Sequence, residues 1–253
     1  MLKILLSNDD GVKAEGLQLL YNELQLFAEV FVIAPEINQS GAGSSITTKR
    51  PLKSKKVKDN FLSINGSPAD CVFLGLNNLC PFKPDLVVSG VNAGSNMGED
   101  LLYSGTIGAA LEGRSTPMPC IAVSAAYKQQ DGRDIEPNFR TAVEVTKKLI
   151  QNITSLDINP SITLNVNVPH LEYAELSGIV QSEIGSWGPR NPPHIEIQAN
   201  GEKKYWISHR SKHPINTDNS DIKTLFRGMV SVTPLIPNFL SSNANNLSTW
   251  LKL

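Results

Sequence analysis

The sequence predicts an α/β protein with a three-layer, doubly wound and mostly parallel sheet of the Rossmann-like type. Apolar runs of strand length recur up to about residue 170, and they are nearly continuous, which is typical of strands covered on both faces. Between these runs lie segments with apolar residues every three or four positions, which is the spacing of amphipathic helices. Strands that alternate with helices in this way form parallel sheets with helices on both faces.

The individual elements follow from these two patterns. Strands are predicted at five continuous apolar runs: Lys3–Ser7, Val30–Ala34, Asp85–Ser89, Cys120–Ser124 and Ile162–Val168. Helices are predicted at four amphipathic segments: Glu15–Phe27, Ala69–Asn78, Thr106–Gly113 and Asn138–Asn152.

The chain of 253 residues can bury one sizeable core, and we expect a single domain over residues 1–253 with its core at about 1–170. After Pro169 the sequence becomes rich in Gly, Pro and polar residues, with isolated strands at Lys204–Ser208 and Met229–Thr233. We therefore expect an antiparallel extension, or arm, over about 171–253 that serves subunit contact and ends in a short helix at Ser241–Leu253. The alternative is that the arm closes over a neighbouring site.

Composition limits the expected partners and location. With 23 basic and 24 acidic residues the net charge is -1, so no basic field predicts binding to a nucleic acid polymer. No apolar run is long enough for a membrane span or a signal peptide, and we expect a cytoplasmic protein with no membrane partner. Cys71, Cys80 and Cys120 lack metal-site spacing and are interpreted as buried, reduced thiols.

An acidic doublet, Asp9-Asp10, follows the first predicted strand. Two neighbouring carboxylates at the end of a buried strand repel each other and lose hydration, and a bound cation offsets both effects. Neighbouring strand residues point to opposite faces, so both acids can reach one ion only if the chain has turned, which Gly11 permits. The alternative is that one acid caps the following helix while the other is solvated.

Three further polar loops follow predicted strands or precede a helix, at residues 35–45, 90–100 and 102–106. In open α/β sheets, ligands bind beyond the carboxyl ends of the strands. Together the loops offer carboxylates, hydroxyls and amides but neither thiolate nor imidazole, which favours a hard divalent cation such as Mg²⁺ or Mn²⁺ over zinc.

The segment Tyr103-Ser104-Gly105-Thr106 runs directly into a predicted helix. Hydroxyl groups and free backbone N–H groups at a helix N-terminus favour a bound phosphate. The alternative is an ordinary Ser or Thr cap on that helix.

Several familiar signatures are missing from the sequence. There is no complete dinucleotide-binding fingerprint, no P-loop and no Gly-x-Ser-x-Gly nucleophile motif. Asn8 stands where a phosphatase of the haloacid dehalogenase type needs its nucleophilic aspartate, so a covalent aspartyl phosphate is disfavoured. His209 and His213 have metal-ligand spacing but lie next to Pro214, and we interpret them as loop or oligomer-contact residues.

These segments together resemble the survival-protein E (SurE) nucleotidase family along nearly the whole chain. The resemblance is carried by residues 5–11, 34–42, 88–98, 103–106 and 112–113, and by the later segments 165–169 and 231–235. It implies a phosphomonoesterase that acts on nucleoside monophosphates as a 5′-nucleotidase, with 3′-nucleotidase and short-polyphosphatase activity left open. It also implies a homodimer or homotetramer joined by the arm.

The resemblance further implies one divalent cation per subunit, Mg²⁺ or Mn²⁺, held by four residues: Asp9, Asp10, Ser40 and Asn92. Asp9 and Asp10 would act in catalysis through this metal, which activates water for direct attack. We expect the remaining phosphate oxygens to be bound by Asn96, Ser104, Gly105 and Thr106. No general acid can be identified. The competing interpretations are a non-catalytic nucleotide or phosphate sensor and a transferase that binds a sugar nucleotide through metal.

Overall fold

A nine-stranded sheet forms the centre of the protein. The computed structural model describes residues 1–131, 133–207 and 217–237. The strands in this part of the chain, in order, are β1 (Leu2–Ser7), β2 (Ala28–Pro35), β3 (Ser54–Lys58), β4 (Phe61–Ile64), β5 (Leu86–Ala93), β6 (Cys120–Ala125), β7 (Lys128–Gln130), β8 (Arg133–Ile135), β9 (Thr163–Val168), β10 (Ile179–Gln181), β11 (His194–Ile197), β12 (Lys203–Trp206) and β13 (Val230–Leu235).

The α-helices of the described residues lie between these strands. They are α1 (Glu15–Leu24), α2 (Pro68–Leu74), α3 (Gly105–Glu112), α4 (Phe139–Gln151) and α5 (Asp221–Phe226). The first four match the predicted helices to within a few residues at each end. Within the described ranges, no helix is long and apolar enough to cross a membrane.

The order of strands in the main sheet is β10-β13-β9-β6-β5-β1-β2-β4-β3. The six neighbouring strands from β9 to β4 all run parallel to one another. The chain winds outward from β1 in both directions, through β2 to β4 on one side and through β5 and β6 to β9 on the other. The predicted doubly wound, mostly parallel sheet is therefore confirmed.

Helices cover both faces of the parallel strands. Leu6 and Val88 pack with α1 and α4 in one apolar core. Leu5 and Val87, which follow the alternation of a strand, pack with α2 and α3 in a second core on the opposite face. Because both faces are buried, the strands need apolar residues at every position, which accounts for the continuous runs in the sequence.

Strand β5 is longer than predicted. It continues past Ser89 to Ala93, and its register against β6 shifts between Ser89 and Asn92. Asn92 pairs with Ser124 and Ala93 pairs with Ala125. Asn92 therefore stands at the end of a strand and not within a loop, and the prediction ended too early because Gly and Asn are poor strand formers.

Two strands absent from the sequence prediction extend the sheet beyond β2. Strand β4 is parallel to β2, and β3 is antiparallel to β4 at the edge of the sheet. All five residues of β3 are exposed, and three of them are lysines. A charged, solvated edge strand lacks the apolar pattern on which the prediction depends, and its lysines hinder pairing with another chain.

The predicted extension is in part integrated into the main sheet. The strand predicted at Met229–Thr233 is confirmed as β13, but it is not isolated, because it pairs antiparallel with β9 and its first residues are buried. By contrast, β12 confirms the strand predicted near Lys204–Ser208, and among the described residues it pairs only with β11, in a hairpin whose strand residues are all exposed. The predicted helix at Ser241–Leu253, together with His209 and His213, lies outside the described residues.

The three cysteines are free thiols, as predicted. Cys71 and Cys120 are buried and Cys80 is partly buried. Burial raises the pKa of Cys71 and Cys120 and raises that of Cys80 to about 11. Thiols with raised pKa values are poor nucleophiles at neutral pH, so these cysteines belong to the core and not to a reactive site.

The N-terminus of α2 anchors the loop that follows β2. Ser67 caps the helix by accepting the Asp70 N–H at 3.0 Å, and the Asp70 carboxylate accepts the Ser67 N–H at 2.9 Å. The Ser67 hydroxyl also donates to the Ser45 carbonyl at 2.5 Å, and Asp70 accepts the Thr47 N–H at 2.8 Å. This capping box therefore ties the loop that carries Ser40 to a buried helix end.

Candidate active site

A tight turn follows β1 and carries the acidic doublet. The Asn8 side chain accepts the Gly11 N–H at 3.2 Å and donates to the Gly11 carbonyl at 3.0 Å. Gly11 has a φ of 103°, a conformation that favours glycine. Because an amide both donates and accepts, it suits this turn better than a carboxylate does. Asn8 therefore has a structural role, which agrees with the prediction that it is not a nucleophile.

Asp9 is held by the first turn of α3. The Thr106 hydroxyl donates to Asp9 Oδ1 at 2.6 Å. The helix begins at Gly105, where a Cβ atom would come within 2.8 Å of the Asp9 Cβ, so only glycine allows this approach. The positive end of the helix dipole stabilises a negative charge at this position.

Asp10 extends from the same turn toward the end of β5. Its Oδ2 accepts the Ala93 N–H at 3.1 Å, and its Oδ1 accepts the Asn38 side-chain amide at 3.4 Å. The turn after β1 is thereby connected to the last residue of β5 and to the loop after β2.

Both carboxyl groups of the doublet have raised pKa values. Burial raises the pKa of Asp9, against the opposing effect of hydrogen bonds from Thr106 and from the backbone of α3. Burial raises the pKa of Asp10 to about 6, and the neighbouring charge of Asp9 contributes. Two carboxylates that are costly to ionise together are the arrangement that a divalent cation stabilises, so these residues fit the predicted metal.

Asn92 and Ser40 add two further oxygen donors. The Asn92 Nδ2 donates to the Gly94 carbonyl at 2.7 Å, so the Asn92 Oδ1 faces away from that carbonyl. Ser40 donates its backbone N–H to Asn38 at 2.8 Å, and Asn38 also contacts Asp10. No group of three His, Cys, Asp or Glu side chains that could hold a metal occurs among the described residues, so the candidate ligand set is a mixed one.

Most of the predicted site residues line a cavity of about 240 Å³. Five of the eight line it: Asp9, Ser40, Asn92, Asn96 and Ser104. The other three adjoin this lining through contacts with Asp9 or Ala93: Asp10, Gly105 and Thr106. At roughly 30 Å³ per water molecule, the cavity has room for a phosphate group together with water.

Ser104 is the N-cap of α3. Its Oγ accepts the Ile107 N–H at 3.2 Å, which confirms the alternative of a Ser cap. A hydroxyl that accepts one hydrogen bond can still donate its own proton, so the cap is compatible with phosphate binding. The Thr106 hydroxyl, in contrast, is engaged with Asp9.

Neither acid of the doublet caps the helix that follows it. The N-cap of α1 is Ala14, and it makes no side-chain capping bond. The alternative in which Asp9 or Asp10 caps this helix is therefore wrong. The helix end that Asp9 contacts is that of α3, which lies almost a hundred residues further along the chain.

A second cavity of about 250 Å³ adjoins the first, and the two share Asp100 and Tyr103 as lining residues. Trp187 and Arg190 from the extension also line it, and the Arg190 guanidinium lies 4.6 Å from the centre of the Tyr103 ring. The sequence analysis missed these two residues. They belong to a loop without periodicity, and no local signal relates them to a segment more than 80 residues earlier.

The extension is fixed to the cavity by one buried acid. The Asp221 carboxylate accepts the Gly98 N–H at 3.0 Å and the Gly185 N–H at 2.8 Å. Trp187 belongs to the same segment as Gly185, and its N–H donates to the Glu99 carboxylate at 2.8 Å. These bonds hold Trp187 against the loop that lines both cavities.

The fold and the site together define an α/β protein whose ligand cavity, lined by carboxylate, amide and hydroxyl groups, lies beyond the carboxyl ends of its parallel strands. Comparison with known proteins identifies the family to which it belongs. The chain belongs to the SurE family, because the family described as "Survival protein SurE" matches residues 4–190.

Relatives match over the full length of the chain. The protein named 5′-nucleotidase SurE from Pseudomonas fluorescens (strain SBW25) is 40% identical over 252 residues, which cover 99% of each chain. The protein of the same name from Stutzerimonas stutzeri (strain A1501) is 38% identical with the same coverage. The crystal structure of the Sure protein from Aquifex aeolicus is 34% identical, with a TM-score of 0.84 over 99% of this chain and 100% of that chain. The family resemblance inferred from the motifs is therefore confirmed.

The raised pKa of Asp10 predicts that Asp10→Asn stabilises the metal-free protein near pH 8. The folded protein binds the Asp10 proton more tightly than the unfolded chain does, so native stability falls as the pH rises from about 4 to about 6. The full shift corresponds to about 3 kcal/mol, and solvent screening of this partly exposed group reduces the expected gain to about 1–2 kcal/mol. Urea unfolding with a chelator at pH 4 and pH 8 measures it.

The control is Asp59→Asn, which removes an exposed acid paired with Lys56 and should give no gain in stability at pH 8. A gain for Asp10→Asn of the same size at both pH values would contradict ionisation as its cause.

Proposed function

We propose that this protein is a metal-dependent phosphohydrolase that releases phosphate from nucleoside monophosphates. The observation that carries the proposal is the cavity in which Asp9, Ser40 and Asn92 meet the N-terminus of α3. The full-length relatives named 5′-nucleotidase SurE support the same reaction.

The ligand set suits one divalent cation per subunit, Mg²⁺ or Mn²⁺. The carboxylates of Asp9 and Asp10, the Asn92 Oδ1 and the Ser40 hydroxyl are hard oxygen donors, which these cations prefer. When bound, such a cation polarises a phosphoryl oxygen and lowers the pKa of water.

The protein's own groups bind and orient the phosphate. The Ser104 hydroxyl and the first backbone N–H groups of α3 attract an anion through hydrogen bonds and the helix dipole. The Asn96 amide lines the same cavity and can donate a proton to a further phosphate oxygen. Since Asn8 is an amide engaged in the turn, it cannot act as the nucleophile, and direct attack of water on the phosphorus is the step that we propose.

The second cavity suits the nucleoside part of the substrate. Its lining shares Asp100 and Tyr103 with that of the first cavity, so a ligand whose phosphate lies near Ser104 can extend toward it. The Tyr103 ring and the Arg190 guanidinium offer flat surfaces on which a base can stack.

We further propose that the extension joins copies of this chain into a homodimer or homotetramer, with the division from the core at about residue 170. Strands β11 and β12 form a hairpin that is exposed on both sides, with Ile197 and Trp206 more than half exposed. A single two-stranded hairpin is marginally stable in water, and its apolar side chains would be covered by a second copy.

A phosphate-release panel tests the reaction. We expect phosphate release from 5′ monophosphates in the presence of Mg²⁺ or Mn²⁺, loss of release with a chelator, and a fall in kcat of at least about a hundredfold for Asp10→Asn. Asp59→Asn, which removes an exposed acid outside the cavity lining, should leave kcat unchanged. Including 3′ monophosphates and short polyphosphates in the panel defines the substrate range. Nucleotide binding without phosphate release would instead identify a sensor, and glycosyl transfer from a sugar nucleotide would identify a transferase.

The position of the nucleoside is tested with Tyr103→Leu. Loss of base stacking should lower kcat/KM for a 5′ monophosphate about tenfold or more, while kcat/KM for glycerol phosphate stays unchanged. The matched control is Phe73→Leu, which alters an exposed ring on α2 and should affect neither substrate. Equal losses on both substrates would place Tyr103 in phosphate binding and not in contact with the base.

The oligomer is tested by molar mass in solution. Light scattering should give two or four times the 27.5 kDa of one chain. Replacing Ile197 and Trp206 with serine should lower the measured mass. A native mass equal to that of one chain would exclude the proposed assembly.

A further inference from the structure

Asn96 is bound by three side chains from two neighbouring strands. Its backbone carbonyl accepts the Nδ2 protons of Asn165 and Asn167, each at 3.0 Å. Its backbone N–H donates to Asn167 Oδ1 at 2.8 Å, and its own Nδ2 donates to Ser124 Oγ at 2.8 Å. These four bonds engage both the backbone and the side chain of one cavity residue.

The three partners are fully buried, although they are polar. Asn165 and Asn167 occupy alternate positions of β9, and Ser124 of β6 pairs directly with Asn167 in the sheet. They lie on the same face of the sheet as the core formed with α2 and α3, where apolar residues would avoid the cost of burying an amide. Since packing does not require amides there, their function lies in the residue that they bind.

We propose that Asn167, with Asn165 and Ser124, positions Asn96 for phosphate binding. This inference rests on the proposed function, in which Asn96 donates a proton to a phosphate oxygen. One Nδ2 proton of Asn96 is used by Ser124, so the other points away from that strand. The bonds to the backbone of Asn96 prevent the segment from shifting along the cavity.

The two asparagines differ in what they contribute. Asn167 makes one bond to the N–H and one to the carbonyl of Asn96, so it fixes the peptide groups on both sides of the Cα atom. Asn165 makes one bond to the carbonyl, and its Oδ1 has no hydrogen-bond partner among the described residues. Asn167 is therefore the main positioning residue, and its loss should cost more activity than the loss of Asn165.

The test is a double-mutant cycle between Asn167→Leu and Asn96→Ala. Asn167→Leu removes two bonds to the Asn96 backbone at similar volume. We expect kcat/KM for a 5′ monophosphate to fall about tenfold and the inhibition constant of inorganic phosphate to rise by a similar factor. The metal concentration for half-maximal activity should not change. Because Asn167 acts through the Asn96 side chain, adding Asn167→Leu to Asn96→Ala should cost no further activity.

Thr163→Val is the matched control. Thr163 lies on the same face of β9, it is fully buried, and its hydroxyl has no partner among the described residues, so its loss should leave activity unchanged. Asn165→Leu provides a second variant if Asn167→Leu does not fold, since it removes only the one bond from Asn165 to the Asn96 carbonyl. Its expected loss of activity is smaller than that of Asn167→Leu.

Urea unfolding of the two single variants and the double variant separates stability from positioning. A merely structural role of Asn167 would lower activity by the same factor whether or not the Asn96 side chain is present. Activity of Asn167→Leu equal to that of Thr163→Val would overturn the inference, as would a full, additive loss in the Asn96→Ala background. Absence of phosphate release by the native protein would overturn the proposed function instead, so the two failures are distinguishable.

Discussion

The hydrogen bond from the Thr106 hydroxyl to the Asp9 carboxylate joins the N-terminus of α3 to the end of β1, and the remainder of the site is arranged around it. The bond places a buried negative charge against a helix end that stabilises it. Gly105 makes this approach sterically possible. With Asp9 fixed, the turn directs Asp10 toward β5, where the Ala93 N–H binds it beside Asn92. The turn after β1, the N-terminus of α3 and the end of β5 thus meet at the same cavity, although Thr106 and Asp9 are 97 residues apart in the chain.

Side chains from the second half of the chain hold the loop that follows β5 and lines the cavity. The loop after β5 carries Asn96 and Gly98, and each of them is bound by a side chain from a distant element. Asn167 binds the backbone of Asn96, and Asp221 binds the Gly98 N–H. Burial raises the pKa of Asp221, and its three backbone hydrogen bonds oppose that effect. The candidate ligands therefore come from the first part of the chain, while their geometry depends on the later part.

Sequence patterns predicted five strands of the main sheet that are buried on both faces and largely apolar, but they missed β4, whose run of four residues includes a serine. They could not predict β3, whose five exposed residues satisfy no burial requirement. At the site, the positions of the polar loops after strands predicted which loops come together, whereas the individual ligand residues were implied by the family resemblance, and five of the eight candidate residues line the cavity. The sequence patterns could not predict that the Thr106 hydroxyl binds Asp9, because a hydroxyl at a helix N-terminus is equally suited to a phosphate. The roles of Asn165 and Asn167 depend on contacts with Asn96, about 70 residues earlier in the chain. The alternation of residues in β9 does not indicate which distant residue they contact.

The position of β13 has a consequence for the order in which the protein matures. All eight candidate site residues have been synthesised by residue 106, yet β9 gains its outer neighbour only when residues 230–235 pair with it. During translation, the strand that carries Asn165 and Asn167 is therefore an unprotected sheet edge for more than sixty residues of chain growth. Until residues 230–235 have been made, β9 lacks its outer neighbour, and its open edge is a surface on which other strands can pair.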